Sequence, residues 1–470
     1  MSIKGFRNYI WFGVAVFVFG AVGANAQPES KPRPLLQPIT VHKEEPVNSS
    51  ASSSESLVRK TSSSASTAVL AGSSGVKTSI SSLRAIDIPG NSGVLIESLD
   101  GKIVVESSSD IPLNPASNVK VATTYAILKT FGPDYRFPTT IWTDGAYDEG
   151  NKKIIGNLYI SGRDPVFMNE HAVILAQELN RMGVRTIEGD VIVTDNFTMN
   201  YGSTATAAAK MIINSLDVAK RSAATSRAYS NYLIHSGKLK PDASIPSVTV
   251  TGNPYVHALP SNAKSLFTHE SAPMREIIKA MMSYSNNELS HRLGDMVGGP
   301  FGVANIVRQN TGTTAQEFHI VTTSGLGVNR VTASAMMKLL RVLRTELTKS
   351  KMTFADVMPV AGLDPGTLES RFATDFSRGS VIGKTGTLGN TDGGASALAG
   401  EINTRNGQYL FVIFNQRGSV ARFRTFQNYY VSAVQGALGG PSPITYSGTS
   451  LDARLAKSRI TYPETRARGN

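Results

Sequence analysis

A serine and a lysine three residues apart, Ser117 and Lys120, form the pair in this chain best suited to nucleophilic chemistry. Apolar residues follow at helical spacing (Val121, Tyr125, Leu128), so a helix is predicted to begin near Ser117. Residues three apart on a helix share one face, where a lysine amine can take the proton of a serine hydroxyl. The pair therefore predicts a serine nucleophile with Lys120 as its base.

The Ser-x-x-Lys pattern also occurs at Ser74–Lys77 and at Ser261–Lys264. The first lies in a Ser-rich stretch, and the second lies in a polar loop with no helical pattern after it. Only Ser117 is preceded by a predicted strand hairpin and followed by an apolar helix. An ordinary helix cap is the alternative interpretation of Ser117.

A second candidate element is Ser285-Asn286-Asn287, which interrupts or opens a helical stretch. A hydroxyl and an amide placed together can relay a proton and hold a substrate amide, so Ser285 and Asn287 are candidates for these roles. The alternative is again a Ser/Asn helix cap.

The third element is the sequence Gly-Lys-Thr-Gly-Thr at 383–387, in a strand-like context. Lys384 offers a charge for a carboxylate, and Thr385 offers a hydroxyl beside it. Gly386 is expected to let a substrate backbone approach closely. The Thr387 N–H and the Ser117 N–H are candidate donors of an oxyanion hole.

A phosphate-binding loop, a metal site and a cofactor are not predicted. A P-loop needs a glycine where Arg378 stands, and a strand pattern rather than a helix follows Gly383 to Thr387. The seven histidines form no H-E-x-x-H pattern, and the chain has no cysteine, which excludes disulfides and thiolate ligands.

Two hairpins and a helix are predicted to position these elements. Turn signals at Asp100-Gly101 and Asn406-Gly407 lie between strand-like runs, and a helical pattern extends from Phe423 to Ala437. The first and last segments should therefore share one antiparallel sheet with helices packed on it. Between 135 and 264 short strand-like runs surround one predicted helix, Glu170 to Met182, which indicates an inserted domain.

The N-terminus has the pattern of a secretory signal peptide over 1–26. Lys4 and Arg7 precede an apolar run, Ile10 to Val22, and an Ala-Asn-Ala site at 24–26. The alternative, a membrane-spanning helix, needs about 20 apolar residues, which is longer than this run. Export to the periplasm or cell envelope is therefore expected.

The segments outside the predicted fold are polar or basic. Residues 27–83 are rich in Ser and Pro and are predicted to be a disordered tether, and 439–470 are predicted to be a basic, loosely ordered tail. The formal net charge is +12. For an exported chain this favours electrostatic association with anionic envelope polymers or membrane surfaces over nucleic-acid binding.

The three motifs in this chain order resemble the penicillin-recognising serine enzymes. The long gap between Ser117 and Ser285 is similar to that of the D-Ala-D-Ala carboxypeptidase/endopeptidase family of penicillin-binding protein 4 (peptidase family S13). The stretches Phe131 to Phe137, Ser324-Gly325-Leu326 and Leu363 to Leu368 also resemble that family.

This resemblance implies an α/β, β-lactamase/transpeptidase-like fold: an antiparallel sheet with helices on both sides. The catalytic domain would comprise 84–134 and 265–438, with a shortened, mostly β domain inserted at 135–264. It also implies hydrolysis of D-alanyl-D-alanine bonds in peptidoglycan stem peptides through an acyl-enzyme on Ser117, which β-lactams inhibit covalently. Lys384 and Thr385 would bind the terminal carboxylate, and no cofactor is implied.

Two places depart from the family pattern. Gly327-Val328 stands where Ser-Arg is usual, and Gly389 stands where Gln is frequent, so side chains that grip the stem peptide are missing. The missing side chains favour one alternative, a penicillin-binding scaffold of the envelope with low activity. The other alternative is a β-lactamase, which forms the same acyl-enzyme.

Overall fold

The structure, a computed structural model, describes residues 75–239 and 244–463. Its strands are β1 (Lys77–Thr78), β2 (Asn91–Ser98), β3 (Ile103–Ser107), β4 (Pro138–Thr143), β5 (Ala146–Asp148), β6 (Lys153–Ile155), β7 (Leu158–Gly162), β8 (Thr186–Glu188), β9 (Val191–Val193), β10 (Thr249–Val250), β11 (Pro254–Val256), β12 (Lys264–Glu270), β13 (Phe318–His319), β14 (Arg330–Val331), β15 (Val381–Leu388), β16 (Ala395–Thr404), β17 (Gly407–Gln416) and β18 (Arg459–Thr461).

Its helices are α1 (Ser81–Arg84), α2 (Val119–Phe131), α3 (Asn169–Arg181), α4 (Ala205–Leu216), α5 (Ala223–His235), α6 (Met274–Tyr284), α7 (Asn287–Asp295), α8 (Gly299–Thr311), α9 (Ala333–Lys349), α10 (Val420–Ala437) and α11 (Leu451–Leu455).

A six-stranded antiparallel sheet, in the order β1-β3-β2-β17-β16-β15, forms the centre of the catalytic part. Both predicted hairpins are confirmed: β2 pairs with β3 across Gly101, and β16 pairs with β17 across Asn406-Gly407. Because β2 also pairs with β17, the first and last hairpins lie side by side in one sheet. The strand with the Lys-Thr-Gly motif, β15, lies at its edge.

Helices cover both faces of this sheet. The alternation of side chains along β16 sends Ala397 and Ala399 into a core shared with α2, α6 and α9. It sends Leu398 and Ile402 into a second core on the other face, which includes Tyr430 of α10. This arrangement confirms the predicted α/β fold, with the catalytic motifs on the α2 side.

The inserted segment supplies most of the strands of two further sheets. One has the order β10-β8-β6-β5, and the other has the order β11-β9-β7-β4-β12-β18. The segment begins and ends on neighbouring strands, because β4 pairs antiparallel with β12. The predicted helix is present as α3, and two further helices, α4 and α5, pack in the same region.

Both ends of the predicted fold need correction. The tether was expected to reach residue 83, but β1 pairs with β3 and Leu83 is fully buried, so the folded part already includes 75–83. The signal peptide and 27–74 lie outside the described residues.

The C-terminal segment up to 463 is docked on the fold, contrary to the prediction of a loosely ordered tail. Strand β18 pairs with β12, and Arg454 donates to the Glu276 carboxylate at 2.8 Å. The basic side chains at 454, 457 and 459 are thus held in ion pairs with Glu276 and Glu270. In the described residues, no helix combines the length and the apolar character needed to cross a membrane.

Candidate active site

Ser117 lies in a 3₁₀ turn, Ala116–Asn118, that leads directly into α2. The turn is closed by a hydrogen bond from the Asn118 N–H to the Pro115 carbonyl at 3.0 Å. Ala116 adopts a positive φ of 46°, and its N–H donates to the Asn114 side chain at 3.0 Å. The predicted helix start is therefore confirmed, with Ser117 held in the turn just before the helix.

Lys120 is fully buried beneath Ser117, and its Nζ has three oxygen partners. It donates to Ser117 Oγ at 3.1 Å, to Asn287 Oδ1 at 2.8 Å and to the Ser324 carbonyl at 2.7 Å. Burial lowers the pKa of Lys120 to about 7, since the charged ammonium is poorly solvated there. A substantial fraction of the amine is therefore neutral near pH 7 and can accept a proton.

Ser285 and Asn287 lie at the junction between α6 and α7. Ser285 follows the last residue of α6 in the left-handed conformation, with φ of 54°, and Asn287 is the first residue of α7. Asn286 is the helix cap, because its side chain accepts from the Leu289 N–H at 2.9 Å. The cap interpretation thus applies to Asn286, while Ser285 and Asn287 point to the two lysines.

Lys384 connects the β15 motif to this junction. Its Nζ donates to Ser285 Oγ at 2.9 Å and to the Thr385 carbonyl at 2.9 Å, and the residue is fully buried. Burial, followed by the charge of Lys120, lowers the pKa of Lys384 well below its usual range. The structure therefore brings all three sequence elements together, with the two lysines close enough to repel each other.

Gly386 serves a packing role that differs from the expected one. A Cβ at this position would lie 2.7 Å from the Pro115 carbonyl and 3.0 Å from the Ala116 Cβ. The close approach that Gly386 permits is therefore made by the protein's own nucleophile turn. Glycine lets β15 lie directly against the turn that carries Ser117.

The outer edge of β15 is only half covered. The backbone at 359–361 bonds to its first residues, with a bridge between Val360 and Ile382 and a bond from the Gly383 N–H to the Pro359 carbonyl. Within the described ranges, no strand pairs with this edge from Lys384 to Leu388. An extended peptide could add there as a strand.

Thr385 and Thr387 occupy this open part of β15. Thr385 is buried and Thr387 is exposed, and the Thr387 hydroxyl accepts from Arg424 of α10 at 2.8 Å.

Sequence reasoning assigned no role to Ser324 and Gly325, which the structure places at the site. The Ser324 carbonyl is an acceptor for Lys120. Gly325 has φ of 91°, and a Cβ there would lie 1.9 Å from the Ala116 carbonyl oxygen. The Ser-Gly-Leu sequence at 324–326 could have pointed to this segment. The type of a side chain, however, does not indicate whether the backbone carbonyl of that residue accepts a hydrogen bond.

A polar cluster at the rim was also missed. Asn114 donates to Asp392 at 2.7 Å and to the Gly327 carbonyl at 2.9 Å. Arg330 forms a two-bond pair with Asp392, at 2.9 and 2.8 Å, which lowers the pKa of Asp392. This cluster ties the 321–328 loop to the turn after β15.

The arrangement can support acyl transfer by a serine with a lysine base. Among the described residues, no carboxylate is hydrogen-bonded to Ser117, Lys120 or Ser285, and no group of His, Asp and Glu side chains could hold a metal ion.

Comparison with known proteins places most of the chain in one family. Residues 81–209 and 220–431 match the family described as D-Ala-D-Ala carboxypeptidase 3 (S13). A D-alanyl-D-alanine carboxypeptidase from an Actinomadura species is 25% identical over 420 residues, covering 68% of this chain and 77% of that protein. A carboxypeptidase from Mycobacterium tuberculosis is 24% identical over 365 residues, with coverage of 70% and 77%.

Solved structures show the same fold. The penicillin G-acylated Bd3459 predatory endopeptidase from Bdellovibrio bacteriovorus superposes with a TM-score of 0.66 at 22% identity, covering 79% of this chain and 99% of that one. Penicillin-binding protein 4 from Haemophilus influenzae, complexed with a β-lactam, gives a TM-score of 0.56 at 18% identity, with coverage of 74% and 96%.

Proposed function

This chain belongs to the D-Ala-D-Ala carboxypeptidase 3 (S13) family and is a serine-type carboxypeptidase, and we propose that it cleaves D-alanyl bonds of peptidoglycan stem peptides through an acyl-enzyme on Ser117. The observation that carries the proposal is the buried amine of Lys120, which contacts both Ser117 Oγ and Asn287. Because peptidoglycan is the proposed substrate, the enzyme is proposed to act in the cell envelope.

In the acylation step, neutral Lys120 accepts the proton of Ser117 while Oγ attacks the carbonyl of the penultimate D-Ala. The carbonyl oxygen becomes an oxyanion, for which the Ser117 and Thr387 N–H groups are the proposed donors. As the tetrahedral intermediate collapses, the C–N bond breaks and the leaving amine takes the proton that Lys120 accepted, relayed through Ser285, which leaves Lys120 neutral. Water then hydrolyses the ester, with Lys120 as the base.

The substrate is proposed to lie along the open edge of β15, where its terminal carboxylate meets Lys384 and Thr385. In the free enzyme, burial and the neighbouring Lys120 disfavour a charge on Lys384. A carboxylate at this place raises the pKa of Lys384 again, because an opposite charge stabilises the ammonium. Binding of a terminal carboxylate therefore favours the charged, protonated form of Lys384, and this charge in turn holds the carboxylate.

β-Lactams are proposed to acylate Ser117 in the same way. The Bd3459 endopeptidase, which shares the fold, has been solved in a penicillin G-acylated form. A β-lactamase would additionally need a group that activates water for rapid deacylation, and no carboxylate is hydrogen-bonded to Ser117, Lys120 or Ser285 in the part of the chain that the structure describes. Slow or no turnover of nitrocefin is therefore expected.

The proposal is tested by treating the full chain with a labelled penicillin and mapping the adduct by mass spectrometry. One adduct on Ser117 is expected, and none on the protein with Ser117→Ala. Ser261→Ala is the matched control, because Ser261 begins another Ser-x-x-Lys pattern but lies in an exposed loop. An adduct that persists in the Ser117→Ala protein, or rapid nitrocefin turnover, would contradict the proposal.

A further inference from the structure

An arginine without an acidic partner lies at the open edge of β15. Arg424 of α10 is exposed, and its guanidinium donates to the Thr387 hydroxyl at 2.8 Å. Among the described residues, no carboxylate lies within ion-pair distance of this guanidinium. The charge of Arg424 is therefore available to an anion that binds along this edge.

The side chains of β15 alternate between the two faces of the sheet, and this alternation groups Arg424 with the two threonines. Thr385 and Thr387 point to one face, because residues two apart on a strand point the same way. Val381, in the same alternation, belongs to the core under α10, so this is the face that α10 covers. Lys384 points to the opposite face. The guanidinium and both threonine hydroxyls therefore lie on one side of the strand.

The proposed position of the substrate brings its terminal carboxylate to the same place. The Thr387 N–H is the proposed donor to the scissile carbonyl, and the terminal carboxylate belongs to the residue directly after the scissile bond. One residue of extended chain spans about 3.5 Å, so the carboxylate lies about that far from the carbonyl. A group so close to the Thr387 N–H is within reach of a guanidinium that contacts the hydroxyl of the same Thr387.

Lys384 alone offers little attraction to a carboxylate that approaches the free enzyme. Its side chain is fully buried, and burial, followed by the charge of Lys120, lowers the pKa of Lys384 well below its usual range. A guanidinium, in contrast, stays protonated at every pH at which an enzyme works. Arg424 therefore supplies a permanent positive charge at an edge where the buried lysine becomes charged only once the carboxylate is bound.

We propose that Arg424 determines specificity for a free C-terminus, by binding the terminal carboxylate of the substrate beside Thr385 and Thr387. This inference rests on the proposed function, in which the substrate lies along β15 and is attacked by Ser117. A guanidinium has five N–H donors, so the bond to Thr387 leaves others for a carboxylate. Penicillins carry a carboxylate on the carbon next to the β-lactam nitrogen, so Arg424 should bind them in the same way.

The test compares penicillin G with its methyl ester, which lacks the charged carboxylate, by the second-order rate of acylation measured as intact mass of the full chain. In Arg424→Gln the rate with penicillin G should fall about tenfold, because a hydrogen bond between two charged groups is lost. The rate with the ester should stay within about twofold of the wild type. For a peptide ending in D-Ala-D-Ala, KM should rise by a similar factor with kcat little changed. Arg424→Lys should keep part of the effect.

Arg422→Gln is the matched control, since Arg422 is exposed on the same helix and its loss changes the net charge equally. It should keep the wild-type rate with penicillin G and the decrease of that rate at high salt, whereas Arg424→Gln should lose most of this decrease. If the ester reacts too slowly to measure, the salt comparison of the two variants decides. Equal slowing of penicillin G and its ester in Arg424→Gln, or equal behaviour of the two variants, overturns the inference. A wild-type protein without any adduct on Ser117 would instead overturn the proposed function.

Discussion

The amine of Lys120 differs from an ordinary surface lysine in its solvation. It is enclosed by Ser117, Asn287 and the Ser324 carbonyl, and these neutral oxygens replace water only in part. The pKa of Lys120 therefore falls to about 7. A general base is most effective when its pKa is close to the pH at which it works, here neutral pH.

The first prediction concerns the pH dependence of acylation. Because only the neutral amine can accept the Ser117 proton, the rate should rise about tenfold per pH unit below pH 7 and level off above it. The measurement is the second-order rate of penicillin labelling between pH 5.5 and 9. Lys120→Arg should show no such rise, since a guanidinium stays protonated throughout. A flat profile for the wild type would exclude Lys120 as the base.

A second prediction at the residue scale concerns Gly325. An alanine there would place its Cβ within 2 Å of the Ala116 carbonyl oxygen, in a backbone conformation with φ of 91°. The nucleophile turn or the 321–328 loop must then move. Gly325→Ala should slow penicillin acylation by about a hundredfold, the cost of a 1 Å misplacement.

The control for Gly325→Ala is Gly436→Ala, on α10, where a Cβ meets no heavy atom within 4 Å. This control should keep the acylation rate of the wild type and be slightly more stable, since alanine favours a helix over glycine. Equal acylation by both variants would mean that the contact at Gly325 does not position Ser117.

Residue types and spacing were enough to predict which side chains come together at the candidate site, but not their backbone partners. Ser117 and Lys120 are recognisable because helix geometry places residues three apart on one face. The Ser324 carbonyl is invisible in sequence, because every residue has one. For Gly386 the sequence predicted the close approach of a substrate backbone, whereas the backbone that approaches it in the structure is that of Pro115.

At the scale of elements, the 321–328 loop and the turn after β15 form the rim of the site, and hydrogen bonds between polar side chains and backbone groups join them. The Asp392 carboxylate accepts from both Arg330 and Asn114, and Asn114 also donates to Gly327. These side chains are therefore already paired. The adjoining Val328 is 50% exposed, and Gly389 has open space around it.

The third prediction follows from this rim. A site without free hydrogen-bonding side chains discriminates poorly between polar groups. Stem peptides ending in D-Ala-D-Ala should therefore have similar kcat/KM values whether their third residue is diaminopimelate or lysine. Both peptides should carry the same second residue and be assayed with one enzyme preparation. A preference above about a hundredfold, about 2.7 kcal/mol, would indicate a clamp elsewhere in the structure.

Elements with a clear turn sequence, or with apolar residues at regular spacing over a long stretch, could be predicted. Short elements, and elements that form only by pairing with a distant part of the chain, could not. The hairpins at Gly101 and Asn406-Gly407 and helix α10 have local signals that tertiary contacts reinforce. Helix α5, in an Ala/Ser-rich basic stretch, buries few apolar side chains and so has weak periodicity. A strand of three residues, such as β18, is too short to show an alternation of apolar and polar residues. Its position is determined by pairing with β12.

At the scale of the whole molecule, the C-terminal segment connects the insert to the catalytic part. Strand β18 extends the insert's sheet, while Tyr446 donates to Asp364 at 2.8 Å and Arg454 donates to Glu276 of α6. Asp364 in turn forms a buried ion pair with Lys279 at 2.6 Å. Helix α6, which ends just before Ser285, is thus fastened by residues of the C-terminal segment.

The fourth prediction is that Arg454→Met destabilises the protein by about 1–3 kcal/mol, because the buried Glu276 keeps only Lys457 as a partner. The measurement is the free energy of unfolding, together with the rate of penicillin labelling. Arg459→Gln is the control: its pair with Glu270 is 59% exposed on the arginine side and should contribute little. Equal stability of the two variants would show that the tail is only loosely attached.

The pairing of β2 with β17 also has a consequence for synthesis. Strand β2 ends at Ser98, but its neighbour in the sheet begins only at Gly407. At roughly 5–20 residues per second, the ribosome needs on the order of 15–60 s to make the stretch between them. During that interval the apolar hairpin of β2 and β3 has one unpaired edge, and such an edge readily pairs with another chain. A β2–β3 hairpin that forms before Gly407 is synthesised therefore exposes this edge to other chains until β17 follows.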